Sequence, residues 1–237
     1  MNIKNALASS ILLLALVSSV VAGQFTRPES FERGLQLYAQ GRYLHAITEF
    51  KDSLSVGGPY YAQSLYNIGV CHYELGQKRE AARWYREAIR ARDNYIAAFY
   101  ALGVALDDLG ETEQSKETFA RAAELSRHKH APSLFRLGLA LHREGDLEAA
   151  AACYRKAINQ ADAPAPAFHN NLGVVEAMLG DLDAAARQFE IALRQSKGKF
   201  EGAAHNLGLC REMMAASSRS LIARLQVVSS AAVEVNR

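Results

Sequence analysis

Seven histidines and three cysteines are the residues of this 237-residue chain best suited to hold a metal or attack a substrate, and their spacing supports neither chemistry. His128 and His130 flank Lys129 on an irregular stretch ahead of Pro132, with no acidic or cysteine ligand beside them. They read as solvated loop residues, since a metal pair needs further donors at fixed spacing. Cys71, Cys153 and Cys210 are an odd set with no close spacing, and each reads as a small buried hydrophobe. Asp107 and Asp108 are a carboxylate pair in name only, because adjacent residues on a helix diverge by about 100 degrees and do not share a proton. No nucleophile–base pattern, phosphate loop or cofactor motif is present. The expectation is a protein that is not an enzyme and binds no cofactor and no metal.

The charge pattern narrows the partners. Lys and Arg number 27 against 25 Asp and Glu, for a net charge of +2. The signs alternate along the chain, as in Glu80, Arg83, Arg86 and Glu87. A nucleic-acid reader concentrates its cations on one face, so no nucleic-acid partner is expected. The nearest basic cluster, residues 127–130, sits in a connection and reads as a solvated loop.

What organises the chain is a block headed by Gly34, Gly69, Gly103, Gly138, Gly173 and Gly208, at spacings of 35, 34, 35, 35 and 35 residues. Seven residues after each of the first five stands a second glycine, at 41, 76, 110, 145 and 180, where one amphipathic helix stops and another starts. Twelve after come Ala46, Ala81, Ser115, Ala150 and Ala185, and sixteen after come Phe50, Tyr85, Phe119, Tyr154 and Phe189. A small residue and an aromatic four apart share a helical face. The glycine and the small residue let two backbones approach, and the ring fills the space they leave.

A hydrophobic residue before glycine, as in Ile68-Gly69 and Leu102-Gly103, then an alanine, then an aromatic resembles the tetratricopeptide repeat family over residues 29 to 214. The pattern departs at Leu65, Phe99 and Leu134, at His72, Leu106 and Leu141, and in lacking the terminal proline. The resemblance implies an all-α fold, a right-handed α-solenoid of helix-turn-helix repeats with five full repeats and a partial sixth over residues 23–228. Such an array needs its last interface covered. The spacing of Leu221, Ile222, Leu225 and Val228, after a turn at Ser217 and Ser218, predicts a C-terminal capping helix. Residues 229–237 read as a flexible tail.

In that family one side of the first helices lines a concave groove. Here the corresponding positions include Tyr66 and Tyr73, Tyr100 and Asp107, Phe135 and His142, Asn170, and His205. Val70, Val104, Leu139 and Val174 on the same stripe read as packing between neighbouring first helices. Two residues before the repeat glycine stand Asn67, Asn171 and Asn206, with Arg136 at the same offset. An asparagine there is placed to hydrogen-bond a ligand's backbone. The carboxylate-capturing set of some family members is not reproduced, Arg136 being the one suitably placed base.

At the start, Lys4, the apolar run 11–17 and the small residues before Gly23 read as a leader over residues 1–22. Export to the periplasm is expected, with a membrane anchor and the solenoid outside the cytoplasm as the alternative if that segment is uncleaved. The function expected is noncatalytic: a protein–protein interaction scaffold binding a peptide segment or subunit of an envelope assembly through the groove. The alternative is a self-associating homo-oligomer whose groove is filled by a neighbouring copy.

Overall fold

The computed structural model describes residues 27–216 and 221–228. Among them lie eleven α-helices, two 3-10 turns and no strand. The leader, the serine turn and the tail beyond Val228 lie outside the described residues. The chain divides into two compact units, Met1–Asp93 and Asn94–Arg237. The first holds α1 (Glu29–Ala39), α2 (Tyr43–Leu54), α3 (Tyr61–Glu74) and α4 (Lys78–Ala91), each packed on the next in sequence. The second holds α5 (Ile96–Asp108), α6 (Thr112–Leu125), α7 (Ala131–Glu144), α8 (Leu147–Asn159), α9 (Pro166–Leu179), α10 (Leu182–Gln195) and α11 (Glu201–Ala216), again in serial contact.

Each helical pair is locked by the expected trio. A Cβ built on Gly34, Gly69, Gly103, Gly138 or Gly173 would stand 2.6–2.7 Å from the ring sixteen residues on. The rings of Phe50, Tyr85, Phe119, Tyr154 and Phe189 are at most 2% exposed. Ser115 replaces alanine at the small position without penalty because its hydroxyl donates to the Gly103 carbonyl at 2.9 Å. The helices are turned by the second glycines: Gly145 and Gly180 close α7 and α9 at φ 85° and 96°, a left-handed conformation that a side chain resists. Asp146 and Asp181 follow directly and cap α8 and α10, accepting from the amides of Ala149 and Ala184 at 3.1 and 2.8 Å.

The last repeat departs from this plan. Residues 221–228 do not form the capping helix that the spacing of Leu221, Ile222, Leu225 and Val228 predicts. A single 3-10 turn, Ile222–Arg224, ends at Leu225 with φ −65° and ψ 137°, and residues 225–228 continue without helix or turn. The β-branched pair Val227 and Val228 favours extended backbone, and the segment's main chain finds side-chain partners on α9 and α11 rather than a ladder of its own. Among the described residues no second helix faces Gly208, and a Cβ there would meet none of their atoms within 4 Å where the other repeat glycines would meet a ring.

All three cysteines are free. Burial pushes the Cys71 thiol up to about 12 and raises those of Cys153 and Cys210, which suits packing rather than reactivity.

Candidate functional site

The first helices of the second unit, α5, α7, α9 and α11, share a face stitched between repeats by side-chain contacts, three of them between residues 36 apart. Asp107 on α5 receives Arg143 at 2.9 Å and Arg136 at 3.6 Å from α7. His142 Nε2 on α7 meets Met178 Sδ on α9 at 3.2 Å. Asn206 Nδ2 on α11 donates to Asn170 Oδ1 on α9 at 2.9 Å. Apolar stripe residues fill the spaces between, with Val104, Val174 and Leu209 buried.

Across α9 and α11 this face is occupied. Asn206 donates from Nδ2 to the Gln226 carbonyl at 2.8 Å and accepts the Gln226 amide at 2.7 Å. Asn171 repeats the arrangement two residues on, donating to the Val228 carbonyl at 2.9 Å and accepting the Val228 amide at 2.9 Å. Asn170 Nδ2 donates to the Gln226 carbonyl at 3.0 Å and to Asn171 Oδ1 at 3.1 Å, so it orients both neighbours. His205 Nε2 adds a contact of 3.3 Å to the Arg224 carbonyl. A side-chain amide satisfies one donor and one acceptor together. Alternate residues of an extended chain advance about 6.6 to 6.8 Å, against about 8 to 10 Å between packed helix axes. The asparagine side chains bridge the difference, Asn206 taking residue 226 and Asn171 taking residue 228. Under this cover Asn170, Asn171 and Asn206 are 0% exposed, and every residue of 167–177 is buried.

The aromatic positions divide. Phe135 is 1% exposed, with its ring centroid 4.4 Å from that of Phe168 and 5.6 Å from that of Tyr154. It is a core residue, packed against the ring that fills its own repeat and stacked on a ring of the next. Tyr66 and Tyr100 are half-buried, leaning on Tyr85 and Phe119 at 5.7 and 5.9 Å. Tyr73 is half-buried on α3. Arg136 is 5% exposed between Asp107 and the Phe119 ring, whose centroid lies 5.9 Å from its guanidinium carbon. It therefore faces Asp107 rather than offering a cation to a ligand carboxylate.

Models of the tetratricopeptide repeat match residues 29–94, 100–166 and 152–200. The chain belongs to the tetratricopeptide repeat family. Over 94 residues it is 29% identical to the BBSome complex member BBS4 of Xenopus tropicalis, a stretch covering 40% of this chain and 18% of that one. Over 102 residues it is 24% identical to the photosystem I assembly protein Ycf3 of Cyanophora paradoxa, covering 39% and 59%. The chain thus spans less than two thirds of either relative. Among solved structures, YrrB, a TPR protein with an unusual peptide-binding site, aligns with TM-score 0.62 at 20% identity over 81% of this chain and 96% of that one. MamA 41-end from Desulfovibrio magneticus RS-1 aligns with TM-score 0.61 at 18% identity over 74% and 99%. A tetratricopeptide repeat protein of Parabacteroides merdae gives 0.64 at 19% identity over 79% and 73%. At such identities the likeness is one of fold.

Within this tetratricopeptide array Asn67 holds the register of Asn171 and Asn206, but on α3 of the first unit. Its Nδ2 is buried and has no hydrogen-bond partner. Replacing an unpaired amide removes no bond, so Asn67→Ala should change unfolding free energy by no more than about 0.5 kcal/mol. Asn206→Ala should cost about 1 kcal/mol, because its two bonds to Gln226 are lost and release of the segment to water recovers the rest. Denaturant titration of the two variants separates them, and equal costs would remove the distinction drawn between filled and empty registers.

Burial of His142 on the same face predicts a pH dependence of stability. Burial lowers the His142 pKa from 6.5, so the folded state keeps the ring neutral while the unfolded chain takes up a proton. Its contribution is fully present above about 6.5 and is lost as pH falls from there through the folded value. His142→Gln should therefore flatten part of the decline in urea midpoint between pH 7 and 5. An unaltered slope would show that His142 does not carry it.

Proposed function

We propose that the chain is a noncatalytic interaction scaffold that holds an extended segment of a protein partner by its backbone, across the first helices of the Asn94–Arg237 unit. The observation that carries this reading is the pair of two-point amide clamps, Asn206 on residue 226 and Asn171 on residue 228. Backbone pairing supplies affinity without demanding a sequence, and neighbouring apolar positions supply selection. Tyr100, on α5 of the same unit, offers further apolar area with a polar tip for side chains of a longer partner. The relatives give the reading company: BBS4 is a complex member, Ycf3 an assembly protein, and YrrB a protein with a peptide-binding site.

We read residues 1–22 as a leader, which supports a partner in an envelope assembly, with the solenoid in the periplasm or tethered outside the cytoplasm as the alternative. Among the described residues no helix is long and apolar enough to cross a membrane. The test is a pull-down from native envelope and cytosolic fractions with the full chain and with Asn171→Ala/Asn206→Ala, each shown to be helical. A partner retained by the native chain and lost by the variant is the expected result; equal retention by both overturns the clamp as the site. A self-associating reading also has an observation in its favour, since the segment on the face comes from this same sequence and a second copy supplies it equally well. It predicts a mass that grows with concentration.

A further inference from the structure

Resting on the peptide-holding reading above, we infer that residues 221–228 are a displaceable internal ligand, and that the site takes extended segments carrying apolar side chains three residues apart. The hold on this segment is of two kinds. The asparagines grip its main chain at 226 and 228, which any sequence provides. Leu225 and Val228 supply what is particular: Leu225 packs on the cluster of Val174, Leu207, Cys210 and Met213, and Val228 on the cluster of Phe135, Phe168 and Leu172. Between these anchors the side chains are free to vary, since Gln226 is exposed and Val227 is 41% exposed.

At Gly202 the bed beneath the segment leaves room for the side chains of Gln226 and Val228. Gly202 lies under it, and a Cβ there would come 3.6 Å from Gln226 Oε1 and 3.9 Å from Val228 Cγ2. A methyl group fits, and a larger side chain would fill the path. The segment also has no helical ladder of its own beyond one 3-10 turn. Its order rests on bonds to distant asparagines, and such elements open locally at lower free energy than the helices they lie on. A partner with the same apolar-x-x-apolar pattern makes the same contacts and competes for them. Its apparent affinity is its intrinsic affinity scaled by the fraction of molecules in which the segment is released. Release is thereby the control point of the site.

The test uses a fluorescein-labelled synthetic peptide of residues 221–237 as the probe and the full chain as the receptor. Gln226→Pro/Val228→Pro removes the two amide donors that the asparagines accept, while proline keeps to extended backbone. By fluorescence anisotropy the proline variant should bind the probe at least about tenfold more tightly than the native chain, as expected when the closed fraction is relieved. Adding Asn206→Ala to the proline variant should abolish the gain, and a probe with Leu225→Asp and Val228→Asp should not bind.

Equal affinity of native and proline chains overturns the internal-ligand inference and leaves the peptide site standing. Failure of a folded proline chain to bind the probe overturns the site itself. A proline chain that does not fold is resolved by hydrogen exchange on the native chain. Amides of Gln226 and Val228 exchanging at least about 100-fold faster than those of residues 172–177 support release. Exchange at the same rate makes the segment an integral cover and ends the inference.

Discussion

Gly173→Leu should cost the protein about 3 kcal/mol or more, while Gly208→Ala, at the same place in the repeat, should stabilise it by about 0.5 to 1 kcal/mol. At Gly173 a Cβ would meet Phe189 Cε1 at 2.7 Å and the Ala185 carbonyl oxygen at 3.1 Å. Phe189 is 0% exposed, so its ring has nowhere to turn, and the carbonyl belongs to the backbone of α10. The two helices must part to admit even a methyl group, and leucine adds three carbons more. Gly208 sits inside α11 with none of the described residues within 4 Å of the added atom. There alanine gains the ordinary helical preference over glycine and meets no clash. Urea unfolding of both variants measures the contrast. A tolerated Gly173→Leu would show that the glycine–ring lock is not what holds the pair together.

The second large effect is expected from Asn171→Ala/Asn206→Ala. Together the two side chains satisfy the amide and the carbonyl of both Gln226 and Val228. The carbonyl of Gln226 keeps Asn170, but both amides and the Val228 carbonyl lose the partners named above. Each bond to a covered group is worth about 1 to 3 kcal/mol when one side is deleted. The segment recovers most of that by leaving the face for water. The expected result is therefore selective: exchange protection of the 226 and 228 amides falls by about two orders of magnitude or more, consistent with about 3 kcal/mol of lost hold. The helices should retain most of theirs. Loss of protection throughout the second unit would mean that the asparagines support the helices rather than the segment.

Which parts of this were legible beforehand follows from the range of the interactions involved. The glycine, small-residue and aromatic positions lie within one helical pair, so their offsets carry the packing directly, and Ser115 keeps its place by one hydrogen bond. The asparagines could be assigned to backbone binding because Asn67, Asn171 and Asn206 repeat at one offset. What they bind could not be read, since Asn171 and Val228 are 57 residues apart. Leu221, Ile222, Leu225 and Val228 satisfy a helical spacing as well as they satisfy two separate clusters, and only the neighbours decide between them. Phe135 reads like Tyr66 and Tyr100 by offset. Its burial depends on Phe168, one repeat away.

The non-helical path of residues 225–228 across the end of the array has one more consequence. Leu221, Ile222 and Leu225 lie on the same cluster as Leu207, Cys210 and Met213. Lifting the segment therefore bares an apolar step on α11 beside the vacated clamps. A visitor long enough to reach both gains a second foothold once the first is taken, and the two contacts act as a bivalent grip. Length then becomes a selection rule: short peptides hold by the clamps alone, and longer ones leave far more slowly.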